Sequence, residues 1–105
     1  MDSFGDIIRK QREDKGLPLR TVAAYLDIDQ AILSKIERGQ RKINRDKVLK
    51  LATYFEAKVE PLLVSWLSDK LVYELEDEDL ALKSLQLAEE KVAYRAYQKT
   101  DKKAI

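Results

Sequence analysis

The sequence predicts an all-α protein, a core of four helices followed by two C-terminal helices, and three observations predict it. Apolar residues recur at intervals of three and four along most of the chain, no stretch alternates apolar with polar as a half-buried strand does, and capping residues punctuate the pattern. At 105 residues the length prior is one domain with a modest core. Residues 1–58 read as the core and residues 59–105 as a helical extension, together forming a single compact unit.

Helix 1 begins near Ser3, because Ser3 and Asp6 have capping-box spacing, and runs to about Lys15 before Gly16 closes it. Its inward face is Phe4, Ile7, Ile8 and Gln11. Pro18 restricts the chain entering helix 2, over residues 19–26, where Val22, Ala23 and Leu26 share one face. The break Asp27-Ile28-Asp29 follows. Asp tolerates the left-handed backbone that such a corner needs, Ile28 plugs the corner, and Asp29 is placed to cap helix 3. Helix 3 spans residues 30–38, turns Leu33 and Ile36 inward, and ends at Gly39. Two short amphipathic helices across a tight polar corner are the pattern of a helix-turn-helix. Asn44 is the expected cap of helix 4, with Asp46 in its first turn and Val48, Leu51, Ala52 and Phe55 as its buried stripe.

Glu60-Pro61 reads as a cap followed by proline at the first position of helix 5, which continues to about Leu75. Leu63, Leu67, Leu71 and Leu75 form one row of it, while Leu62, Val64, Trp66, Val72 and Tyr73 spread around the cylinder. A helix this apolar must be covered on two sides. Asp77 is the expected cap of helix 6, with Glu78 and Asp79 complementing its dipole. That helix is expected to run to Tyr97 or Gln98, with Ala81, Leu85, Ala88, Val92 and Ala96 on one stripe and Leu80, Leu87 and Tyr94 on another row. Residues 99–105 are polar and expected to fray.

With Leu33 and Ile36 inward, helix 3 presents Gln30, Ala31, Ile32, Ser34, Lys35 and Arg38 outward. These suit a major groove. A Gln amide pairs with adenine N6 and N7, Ala31 and Ile32 offer apolar contact to thymine methyl groups, and Lys35 reaches guanine O6 or N7. Arg38 is placed for a base or a phosphate. The alternative is an ordinary solvated helix face.

The stretch from Leu17 to Gly39 resembles the Cro-like (XRE) helix-turn-helix family, most specifically in Leu33-Ser34-Lys35-Ile36-Glu37-Arg38-Gly39. The likeness covers roughly residues 4–55. It implies a Cro/repressor-like fold that binds double-stranded DNA through the major groove. By the same resemblance, Arg41, Lys42 and Arg45 follow the recognition helix where the family places phosphate ligands, and Glu37 pairs with Arg12; Arg20, exposed near the start of helix 2, is a further phosphate candidate by its position. The chain departs from the family at Pro18, Leu19 and Asp27, where Ser or Thr, Gln and Gly are usual. The Gln usual at Leu19 commonly touches a DNA phosphate, so its replacement bears on that one contact while the backbone N–H groups there stay available as anion donors, and Asp27 keeps the turn at some conformational strain. A long helical extension resembles that of controllers found beside DNA-methyltransferase or restriction-modification functions.

Composition narrows the chemistry. There is no cysteine and no histidine, so disulfides, thiolates, the usual zinc ligands and His-based catalysis are all excluded, and a reducing cytoplasm is the expected setting. The acidic, amphipathic N-terminus is unlike a signal peptide, and Leu62-Leu63-Val64 is far short of a membrane span. The acidic cluster from Glu74 to Asp79 lacks the glycine and spacing of a calcium loop, and Trp66, Tyr73, Tyr94 and Tyr97 read as core or interface rather than a ligand cage. No cofactor, metal or catalytic set is expected.

Net charge is only +1, but it is unevenly spread: residues 1–58 carry 13 basic and 9 acidic side chains, and residues 59–105 carry 7 and 10. The positive end is the motif end. The expected function is therefore a non-enzymatic, sequence-specific transcriptional regulator, a repressor or controller, acting as a homodimer on a palindromic operator. Leu63, Trp66, Leu67, Leu71, Leu85, Ala88 and Val92 are the expected dimerisation residues. A second reading stays open, in which the C-terminal helices dock another protein, such as a toxin or a methyltransferase, and DNA binding is secondary.

Overall fold

The computed structural model describes residues 1–104, with side chains to residue 100. Six helices follow in order: α1 (Phe4–Asp14), α2 (Leu19–Tyr25), α3 (Gln30–Glu37), α4 (Arg45–Tyr54), α5 (Val59–Glu74) and α6 (Ala81–Ala104). The described residues form no strand.

The first four helices start and stop by local chemistry. Ser3 accepts from the Asp6 N–H while the Asp6 carboxylate accepts from the Ser3 N–H, a reciprocal capping box at 3.1 Å in each direction. Hydrogen bonding from Ser3 lowers the Asp6 pKa from its ordinary value. Asp29 accepts from the Ala31 N–H at 2.9 Å, and Asn44 from the Lys47 N–H at 2.9 Å. At the other ends, Gly16, Asp27, Gly39 and Glu56 take left-handed φ of 65°, 56°, 74° and 53°. Each closes a Schellman motif, in which the next residue's N–H reaches back five residues, as from Ile28 to Ala23 (3.0 Å) and from Ala57 to Ala52 (2.9 Å). Asp27 is one of two acids doing what glycine does at the other two ends.

Two compact units divide the chain, the first spanning Met1–Val72 and the second beginning at Tyr73. In the first, Phe4, Ile8, Val22, Ala23, Leu26, Leu33, Ile36, Ile43, Val48, Leu51, Ala52 and Phe55 form the core, which Leu62 and Trp66 of α5 complete. The inner face of α5 thus belongs with α1–α4. Ile28 is packed on the same core from the corner between α2 and α3. Asp69 of α5 also accepts the Phe4 N–H at 2.7 Å, satisfying one of the unpaired donors at the start of α1.

The C-terminal helices depart from expectation in four ways. Helix α5 opens at Val59, so Pro61 is its third residue and Glu60 lies inside the helix; proline is tolerated there because first-turn N–H groups lack intrahelical partners. Asp77 is not a cap: its φ of 67° is left-handed, whereas an N-cap needs extended backbone. Residues 75–77 and 79–80 form turns, and α6 starts at Ala81 with no acid in its first turn. Finally, α6 continues to Ala104 rather than fraying from Lys99; Ile105 lies outside the described residues. Along α6, Ala81 and Leu85 are half-buried, while Leu87, Val92, Tyr94 and Tyr97 are exposed.

Candidate nucleic-acid interface

Helix α3 is held by two contacts with α1. At Gly5, which is buried, an added Cβ would lie 2.7 Å from the Ile36 carbonyl oxygen and closer still to that of Glu37, so the end of α3 rests directly on the α1 backbone. Further along α1, Arg12 and Glu37 meet. Arg12 Nε donates to Glu37 Oε2 at 2.8 Å and Nη2 to Oε1 at 3.1 Å, a bidentate pair. Its Nη1 donates to the Leu17 carbonyl at 2.9 Å, tying the same arginine to the entry of α2. The two side chains are only 12% and 5% exposed. Hydrogen bonding to Glu37 raises the Arg12 pKa from its ordinary value.

So anchored, α3 buries Leu33 and Ile36 and exposes Gln30, Ala31, Lys35 and Arg38. Ile32 is half-buried and packed against the core, and Ser34 is half-buried. Both are less available than an outward reading of the helix implies. The reason is geometric: a flat surface touches only a narrow arc of an eight-residue helix, and these two flank the buried stripe. The Arg38 Nε donates back to the Ser34 carbonyl at 3.3 Å, which holds its guanidinium over the last turn of α3.

Arg41, Lys42 and Arg45 are exposed immediately after α3, around the buried Ile43. Arg20 is exposed near the start of α2, whereas Leu19 beside it is half-buried against the core. An apolar side chain there serves packing.

The residues expected at a dimer interface divide. Trp66 is 7% exposed within its own unit, and its indole N–H donates to the Ile43 carbonyl at 2.9 Å. Leu63 is half-buried against the core, and Leu85 is half-buried. Leu67 and Leu71, 40% and 54% exposed, and Ala88 and Val92 remain on the surface.

Sequence reasoning missed Gly5, Glu56, Asp69 and the Trp66–Ile43 bond. Of these only Gly5 carried a signal, a glycine inside an otherwise good helix, which marks a close backbone approach. Among the described residues, no group of three or more Asp and Glu is placed to hold a metal ion, and no helix is long and apolar enough to cross a membrane.

Comparison with known proteins agrees with this arrangement. A family model for the helix-turn-helix matches residues 8–62. The crystal structure of the restriction-modification controller protein C.AhdI from Aeromonas hydrophila is similar at 36% identity and a TM-score of 0.52, over 56% of this chain and 89% of that one. The clp gene regulator ClgR from C. glutamicum is similar at 26% identity and a TM-score of 0.53, over 63% of this chain and 86% of that one. A chain of the SinR protein/SinI protein complex, at 22% identity and a TM-score of 0.51 over 92% of this chain and 98% of that one, shares the fold. No curated protein sequence gives a significant match. The buried α2–α3 corner, the exposed face of α3 and the matched span together make this chain a member of the Cro-like (XRE) helix-turn-helix family of DNA-binding transcriptional regulators.

Proposed function

We propose that the protein is a sequence-specific regulator that binds a palindromic operator as a homodimer, with α3 in the major groove. The observation that carries this reading is the exposed set Gln30, Ala31 and Lys35 on α3, followed directly by exposed Arg41, Lys42 and Arg45. Gln30 and Lys35 supply base-reading hydrogen bonds and Ala31 an apolar surface for a thymine methyl group. Ile32 and Ser34 add what their exposed portions reach. Arg38, Arg41, Lys42, Arg45 and Arg20 supply the sequence-independent attraction to phosphate. Similarity to a restriction-modification controller and to a gene regulator supports a role in transcription.

One motif of this size reads few base pairs, so pairing two copies across a palindrome is the economical route to specificity. The exposed Leu67 and Leu71 of α5 and the exposed Ala88 and Val92 of α6 supply apolar surface for that pairing. Selection of bound sequences from a random duplex pool tests both parts. Enrichment of a palindrome is expected; a single unrepeated half-site would remove the two-fold dimer, and no enrichment at all would remove specific recognition.

The exposed apolar surface of α5 and α6 also favours a second reading, in which a different protein covers it and DNA binding is secondary. Light scattering on the isolated protein separates the two, because only a homodimer covers those faces without a partner.

A further inference from the structure

Trp66 lies where α5 meets the loop behind the recognition helix. It is the chain's one tryptophan, 7% exposed, and its indole N–H donates to the Ile43 carbonyl at 2.9 Å. A buried indole N–H needs an acceptor and a buried loop carbonyl needs a donor, so each satisfies the other. The bond does more than fill the core. It pins a backbone atom in residues 40–44, the irregular segment that carries Arg41 and Lys42. The Ile43 side chain, itself only 7% exposed, grips the same point from the core side.

The ring also bears on charge. The Arg45 guanidinium carbon stands 5.8 Å from the Trp66 ring centroid, and the Lys70 ammonium 3.7 Å. An indole face attracts cations, and Arg45, exposed at the start of α4, lies within reach of this one, which Lys70 approaches more closely. One side chain of α5 therefore bonds the loop backbone and lies beside the arginine that follows it.

Resting on the DNA-binding reading above, we propose that Trp66 is a positioning residue for phosphate recognition. It holds residues 40–45 in the arrangement that receives the DNA backbone, without touching DNA itself. A loop held in this way loses little conformational freedom on binding, whereas a loose one must be ordered at the expense of affinity.

The test is the salt dependence of binding to a fluorescein-labelled random-sequence duplex and to the sequence the wild-type protein selects from a pool. Trp66→Phe keeps an aromatic ring and removes the donor. Biosynthetic replacement of Trp66 by its benzothienyl analogue, in which sulfur takes the place of the N–H, keeps the shape as well and serves if Trp66→Phe does not fold. Both are expected to lower affinity for the two duplexes by a similar factor, about three- to tenfold. They should also make the slope of log K against log salt shallower by about one, the signature of roughly one lost phosphate contact. Preference between the two duplexes should stay unchanged. A merely structural role shifts the urea midpoint but leaves the slope of the folded protein as it was, and that result overturns the proposal. If the wild-type protein binds neither duplex, the DNA-binding reading fails and takes this proposal with it; if it binds and the variants keep its slope, only the proposal fails.

Discussion

Gly5 and Arg12 show how single residues on α1 position a helix that α1 does not contain. At Gly5 the obstacle to a side chain is the carbonyl oxygens of Ile36 and Glu37, backbone atoms that cannot rotate away. Gly5→Ala is therefore expected to destabilise the fold by about 3 kcal/mol, at the upper end of ordinary overpacking, as read from the urea midpoint. A shift within experimental error would mean that α1 and α3 separate easily. Arg12→Ala and Glu37→Ala each leave an uncompensated charge in a site where the partner is almost wholly enclosed. Each is expected to cost about 3–5 kcal/mol, and the double variant less than the two losses combined. Additive losses would show that the two groups act independently. By contrast Arg9 and Glu13 pair at 2.7 Å with both side chains more than half exposed, and screening by solvent leaves such a pair little influence on stability.

At the scale of elements, the helix ends matter as much as their faces. Glu56 closes α4 in a left-handed conformation that costs a side-chain-bearing residue about 1–2 kcal/mol, while glycine there gives back about 0.4–1 kcal/mol through the freedom it adds to the unfolded chain. Glu56→Gly is thus expected to stabilise by about 0.5–1 kcal/mol in a urea titration; a loss would mean that the Glu56 side chain contributes something its exposed position does not suggest. On α3 itself two classes of variant should separate. Gln30→Ala and Lys35→Ala are expected to relax preference at particular base positions by about 1–3 kcal/mol each, and Lys42→Ala to weaken every sequence alike. Binding measured on selected and random duplexes distinguishes them. If Gln30→Ala lowers both equally, Gln30 does not read bases.

At the scale of the whole molecule the question is what covers the apolar residues left outside. Leu67, Leu71 and Val72 on α5, and Leu82, Leu87, Val92, Tyr94 and Tyr97 on α6, are all 40% exposed or more. If two copies pair through such faces, the recognition helices can address half-sites one turn apart, about 34–36 Å, or a longer multiple. Light scattering at tens of micromolar is expected to give a mass near twice 12.2 kDa. Leu71→Glu should reduce it to a helical monomer with weak operator binding, because an unpaired carboxylate in an apolar seam is costly to bury. A wild-type monomer would instead favour a different protein as the occupant of those faces.

Local sequence by itself determined the capping box at Ser3, the caps at Asp29 and Asn44, the turn at Asp27 and the stripes of α1 to α4. Those features follow from residues a few positions apart, whose side chains and backbone meet whatever the rest of the chain does. The same locality explains what was misplaced. Asp77 has the composition of a cap but the backbone of a turn, and Pro61 suits the first helical position yet stands third. In each case several nearby registers satisfy the local rules, and composition alone does not choose among them. Long-range packing requires that Gly5 stay small, turns Trp66 into the core to reach Ile43, and brings Asp69 to the start of α1. These contacts join residues far apart in the chain, and an apolar helix such as α5 offers several faces of equal merit. Packing against a particular neighbour selects which of them is buried.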